Sequence, residues 1–332
     1  MNSDAGRVER VRHNAGDAAD GPVIPGMWLA GIVASSLLLV CGLLVKTGIG
    51  IRMDSTAFAV LFLAILALGI MFLTTQKRTT PRATRLRDFS EYALLFMAFS
   101  LLGVVSSYPV AAFTSGFVDA ALIRGDALMW FDWNRWYDFV VAQPALRVSG
   151  AVAYSTIFVS PALLLGYMAW HAERAAARQF LVTFWLAAVL TLLFFPLFPA
   201  KGPLAVMWSG PIPYMPTTAL YQSEVIPQLR DAVFTQIDLG ALGGLVCAPS
   251  FHTVSGVLYI AAAWPFQALR WPLTVVNGAM LLSTPVEGNH YLTDMILGLL
   301  VALAAIALMR GAMRLFVRWP GRTLLKPQPQ MI

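Results

Sequence analysis

The chain has 332 residues, 58% of them apolar and 12% charged, with a formal net charge of +6 and a mean hydropathy of +0.69. Soluble domains carry about 25% charged residues, so this composition excludes one and describes an all-α polytopic membrane protein. Two cysteines, Cys41 in an apolar stretch and Cys247 in a loop, exclude a disulfide framework and have no metal-ligand spacing, and the positive charge suits anionic lipid headgroups rather than nucleic acid.

Residues 1–26 are polar, with Arg7, Arg10 and Arg12 among Asp, Ala and Gly, and read as a cytoplasmic disordered tail rather than a signal peptide. Eight apolar stretches then follow, at about 27–45, 57–74, 91–112, 150–170, 179–197, 251–269, 272–286 and 290–309. Each is long enough, or nearly so, for the roughly 20-residue helix that crosses a bilayer. The seventh is the weakest, because Pro272 opens it. The first two stretches and the basic loop up to residue 90 form an addition to a membrane core at 91–309, and 310–332 is a basic tail.

Threading the chain through eight helices sorts its basic residues onto two sides, 16 with the N-terminus and 7 opposite. Basic loops resist translocation, so both termini are expected in the cytoplasm, with the protein in the cytoplasmic (inner) membrane.

Two segments between the apolar stretches have their own character. Residues 117–146 carry Trp130, Trp133, Trp136 and Tyr137 among charges, and read as interfacial helices with their rings at headgroup level; an ordinary extracytoplasmic loop is the plainer alternative. In 198–249, five prolines from Pro199 to Pro216 forbid one continuous helix, while SEVIPQLRDAVFTQIDL reads as a short surface helix ending at Gly240.

Ionisable residues at membrane depth are functional candidates by default. In the eight-helix arrangement Lys201, Ser250, His252, Glu287, His290 and Asp294 all arrive at the extracytoplasmic side. His290 and Asp294 stand four apart and share a helix face. A carboxylate accepting from one imidazole nitrogen leaves the other nitrogen's lone pair free to attack an electrophile. His252 lies one turn into a helix whose N-terminus favours anions, with Lys201 available as a fixed cation. Two histidines beside an anion cradle suit phosphoryl transfer, with His252 as general acid. The plainer roles are a His–Asp helix cap, a snorkelling Lys201 and an N-cap at Ser250. His13 and His171 fall outside this group.

Pro-Ser-Phe-His at 249–252 followed by Asn-His-Tyr-Leu-Thr-Asp at 289–294 resembles the type 2 phosphatidic acid phosphatase superfamily, in particular a bacterial branch resembling inositol phosphorylceramide synthase and, more distantly, sphingomyelin synthase. Pro249, Ser250 and His252 match the motif P-S-G-H with Phe251 in place of Gly. Ser283, His290 and Asp294 match S-R, five residues, H, three residues, D, with Thr284 in place of Arg. Of the motif K, six residues, R-P, only Lys201 in FPAKGPL remains.

The resemblance covers about 91–309 and implies a six-helix core and a metal-independent, cofactor-free reaction on a phospholipid or lipid phosphate. In that reaction His290 forms a phosphohistidine, Asp294 orients it and His252 protonates the leaving group. Ser250 and Lys201 hold phosphate, with Ser283 and Glu287 as further substrate-side candidates. Glu287 has no counterpart in the family, and its charge suits an acceptor hydroxyl or Lys201. The missing arginines favour headgroup transfer over phosphomonoester hydrolysis, since a phosphodiester monoanion needs fewer cationic partners. A lipid-phosphate phosphatase and a non-catalytic transporter or lipid-binding scaffold are the alternatives.

Overall fold

The computed structural model describes residues 22–218 and 220–318. The expected N-terminal tail up to residue 21, and the C-terminal tail from 319 on, lie outside the described residues. All eight apolar stretches fold mainly as helix, with breaks at 156–158 in the fourth and at 264–266 in the sixth. Helix α1 (Gly26–Thr47) ends at Gly48, whose φ of 70° a side chain would strain. Helix α2 (Thr56–Thr75) starts where the Ser55 hydroxyl accepts from the Phe58 amide. Helix α3 (Pro81–Ala112) is capped by Thr80, with Pro81 in its first turn.

Next come the short helices α4 (Asp119–Leu128) and α5 (Trp133–Val141), then α6 (Pro144–Ser155) and α7 (Val159–Trp170). Helix α8 (Arg174–Phe194) precedes the small helices α9 (Pro203–Met207) and α10 (Tyr221–Arg230). Helices α11 (Phe251–Ala263), α12 (Gln267–Glu287) and α13 (Leu292–Arg318) complete the chain.

Among the described residues five helices are long and apolar enough to cross a membrane, and six when α6 and α7, bent by 43°, count as one span. The two other expected spans are α11, with 13 residues, and α12, which holds Arg270, Asn277 and two internal prolines. At 1.5 Å per residue α11 rises about 20 Å, less than the roughly 30 Å of a hydrocarbon core.

Two ends of the bundle can be told apart by their contacts. At one, Arg178 holds Glu91 at 2.7 and 3.0 Å and the Ile24 carbonyl at 2.8 Å, Arg174 holds Asp88 at 2.8 Å, and Tyr167 packs on both His171 and Phe266. At the other, β1 (Gly50–Ile51) pairs in parallel with β2 (Gln236–Ile237), Arg52 holds Asp238 at 3.2 Å and Lys46 lies over the Phe113 ring. Between them α3, α7, α8, α11 and α13 share a core that includes Phe99, Met168, Phe184, Tyr259 and Ala302. Gly103 of α3 faces Ala188 of α8, where an added Cβ would make ordinary van der Waals contact at 3.7 Å.

The two inter-helix segments add detail to the expectation. Residues 117–146 fold into helices, and Trp133 and Tyr137 are fully buried against the rest of the protein. Their rings stack at 5.0 Å, and the Trp133 indole N–H donates to the Pro285 carbonyl at 2.8 Å. Pro285 lies in the last turn of α12, where carbonyls run out of helical donors, and the indole joins the His290 amide in supplying one. Trp130 and Phe139 are the exposed rings of the segment. The helix expected to end at Gly240 stops at Arg230, because Ala232 turns to a φ of 53° and the chain continues into β2.

Candidate functional site

The site forms where α12 hands over to α13. Helix α12 ends at Glu287, and Gly288 and Asn289, the latter with a φ of 54°, turn the chain so that His290 precedes α13. Asp294 sits in the first turn of α13, fully buried, and accepts the Tyr291 amide at 2.8 Å through Oδ2. Its Oδ1 meets His290 Nδ1 at 2.9 Å. The spacing of four residues therefore places imidazole against carboxylate, and Nε2 of His290 is left to the space beyond.

Helix α11 brings the second histidine. The Ser250 hydroxyl caps it by accepting the Thr253 amide at 3.4 Å, and the Ser250 amide donates to the Asp294 carbonyl at 3.0 Å, which joins the start of α11 to α13. The joint is close: a Cβ on Gly298 would collide with the Ser250 carbonyl oxygen. His252 consequently faces His290, with ring centroids 6.0 Å apart. On its other face it stacks on Tyr154 at 4.3 Å, and Nδ1 lies 3.2 Å from the Tyr154 hydroxyl.

Both histidines line a cavity of about 460 Å³. Its walls are apolar, running past Phe96 and Val104 of α3, Phe184 and Leu192 of α8, and Leu61 of α2, with no Lys or Arg among the described lining residues. Phe251, which stands where the related motif has Gly, also lines it and packs edge-on against Phe184 at 5.5 Å. The substitution thus completes an aromatic wall beside the histidines.

The remaining expected residues sit around this centre rather than in it. Ser250 is fully buried in its cap. Lys201 points its Nζ over the Phe117 ring at 5.0 Å. The Ser283 hydroxyl donates back to the Met280 carbonyl at 2.8 Å, and Thr284 does the same. Glu287 is buried and meets neither Lys201 nor open space: Tyr214 donates to it at 2.6 Å, and Thr217 donates through its hydroxyl at 2.9 Å and its amide at 3.2 Å. It anchors the proline-rich loop to the end of α12.

Two buried carboxylates that sequence reasoning misses hold the same region. Asp119 accepts the Lys201 and Gly202 amides and the Tyr291 hydroxyl, at 2.9 to 3.1 Å. Asp126 accepts the Leu292 and Thr293 amides and the Thr293 hydroxyl, and so caps α13 from a different helix. Burial pushes its carboxyl above the usual range, while these three donors act in the opposite direction. Gly202, at a φ of 93° and with Asn289 crowding its Cβ position, lets the chain pass beneath, and Asn289 Oδ1 accepts the Leu204 amide at 2.8 Å. Cys247, also buried, places Sγ 3.4 Å from Asp294 Oδ2 and 4.0 Å from His290 Nδ1. Only long-range contacts reveal these partners, although an acid within the aromatic segment 117–146 is a visible signal.

A family model described as PAP2 superfamily matches residues 120–308, more than half of the chain, including His252, His290 and Asp294 and excluding α1, α2 and α3. No curated protein and no solved structure matches the chain.

Proposed function

The chain belongs to the PAP2 superfamily, whose members are in general phosphatases and phosphotransferases, and from that premise we propose that it moves a phosphoryl-containing headgroup from a phospholipid to an alcohol acceptor, as inositol phosphorylceramide synthases do. The observation that carries the reading is the meeting of the His290–Asp294 pair with His252 at one end of an apolar cavity.

In this mechanism Nε2 of His290 attacks phosphorus. The N–P bond forms as the bond from phosphorus to the leaving oxygen breaks, and Asp294 holds the Nδ1 proton while positive charge develops on the ring. His252 acts as the imidazolium, favoured by the negative charge of the phosphate bound beside it: its Nδ1–H donates to the Tyr154 oxygen and its Nε2 proton passes to the leaving oxygen, which leaves the ring neutral. His252 then takes the acceptor's proton as its oxygen bonds phosphorus and the N–P bond breaks, which restores both histidines. Positioning and neutralisation of charge supply most of the acceleration in such transfers.

The absence of Lys and Arg from the described cavity lining supports a monoanionic phosphodiester substrate over a dianionic monoester. The apolar walls suit its acyl portion. The distribution of 16 basic residues against 7 supports cytoplasmic termini and an extracytoplasmic reaction.

The test uses purified full-length protein in detergent with a panel of labelled phospholipids and lipid phosphates. Wild type is expected to yield a new lipid when an alcohol acceptor is present, and His290→Ala to lose at least about a thousandfold in rate, the scale of a deleted nucleophile. Release of inorganic phosphate from a lipid monoester would assign the protein to hydrolysis instead. Turnover that His290→Ala retains in full would end the enzymatic reading.

A further inference from the structure

The proposed mechanism leaves Cys247 without a task, although its buried thiol stands against both members of the nucleophilic pair. One thiol sulfur, one imidazole nitrogen and one carboxylate oxygen lie within 4.8 Å of one another, on three residues that are all buried. We propose that Cys247, His290 and Asp294 form an inhibitory Zn²⁺ site, an assignment that rests on His290 Nε2 being the nucleophile.

The ligand set is chemically suited, since thiolate, imidazole and carboxylate together favour zinc over hard cations such as Mg²⁺ or Ca²⁺. The geometry agrees as well. Tetrahedral zinc with bonds of about 2.0 to 2.3 Å holds its ligand atoms roughly 3.3 to 3.6 Å apart. Here sulfur to Nδ1 is 4.0 Å, and the carboxylate meets sulfur through Oδ2 at 3.4 Å and Nδ1 through Oδ1 at 2.9 Å, so with one atom of each residue within 4.8 Å of the others a small rotation of the Asp294 carboxylate and closing shifts of about 1 Å complete three corners. The fourth corner is filled by water from the cavity, which both His290 and Val246, the neighbour of Cys247, line.

Inhibition follows from the tautomer. Asp294 holds the proton of a neutral His290 on Nδ1 and leaves the lone pair on Nε2. Zinc bound at Nδ1 needs the lone pair there, so the ring proton moves to Nε2, which can no longer attack phosphorus. The Cys247 thiol loses its proton to bulk water, and no electron changes hands. Removal of the metal by a chelator reverses each of these proton movements.

The experiment treats chelator-stripped full-length protein in detergent with Co²⁺ as an optical probe and Zn²⁺ as its competitor. Wild type is expected to show thiolate-to-cobalt absorption that Zn²⁺ abolishes, and Cys247→Ala and Cys247→Ser are each expected to lack it. In turnover, Zn²⁺ should inhibit wild type reversibly. Its half-inhibitory concentration should rise at least tenfold in both Cys247 variants, each compared with its own metal-free rate. No thiolate absorption, equal zinc sensitivity in the variants, or stimulation by Zn²⁺ would overturn the proposal. Because the optical readout needs no substrate, a protein that binds Co²⁺ through Cys247 yet turns over no lipid would refute the proposed reaction and leave the metal site standing.

Discussion

Tyr154 lines the cavity with its ring and reaches His252 with its hydroxyl, so in the proposed mechanism removing the hydroxyl alone should leave binding intact and slow the proton transfer. Tyr154→Phe is expected to lower kcat about tenfold with KM nearly unchanged, measured by steady-state kinetics on the best lipid of the panel. Glu287 acts differently. Its carboxylate gathers three donors from Tyr214 and Thr217, so Glu287→Gln turns one acceptor into a donor facing a donor. That change should cost about 1–3 kcal/mol, read as a lower melting temperature in detergent, and a normal melting temperature would show the anchor to be unnecessary. The difference between these residues is also what the sequence could and could not reveal. The contact between His290 and Asp294 is legible because a spacing of four residues already brings the two side chains together. The partners of Glu287 lie some 70 residues away and Tyr154 is 98 residues from His252, distances at which periodicity carries no signal.

At the scale of elements, the catalytic geometry depends on how closely α11 and α13 approach. A methyl group at Gly298 would collide with the Ser250 carbonyl and lie 3.1 Å from Thr253 Cβ, both on or beside the first turn that carries His252. Gly298→Ala should therefore part the two helices, cost about 1–3 kcal/mol and reduce turnover more than tenfold, whereas Gly311→Ala, which meets nothing within 4 Å, should be neutral in both assays. Asp126 supplies the start of α13 with acceptors that the helix itself lacks, and Asp126→Ala should cost about 1–2 kcal/mol, the scale of a lost N-cap, in the same melting assay. The positions of the helices are largely readable from hydropathy, since lipid demands long apolar runs. The strand at Gln236–Ile237 is not, because it exists only through pairing with Gly50–Ile51. The partner of Trp133 is equally hidden, because the Pro285 carbonyl that its indole N–H reaches lies 152 residues away in the chain.

For the whole molecule, the contacts group the loops into two sets, one with Arg178 and Glu91 and the other with β1, β2 and the site. A reporter inserted at Gly240 and another in the loop at Lys77 should therefore report opposite compartments, with Gly240 extracytoplasmic; the same compartment for both would refute the eight-helix threading. The cavity adds a consequence for how such a protein can diversify. Its reactive end is encoded within residues 120–308, while Leu61, Phe96 and Val104 in its wall are encoded before that stretch. Under the proposed reaction part of the wall can therefore vary apart from the reactive end, and exchanging α2 and α3 between related proteins should alter the lengths of acyl chain accepted while the bond broken stays the same.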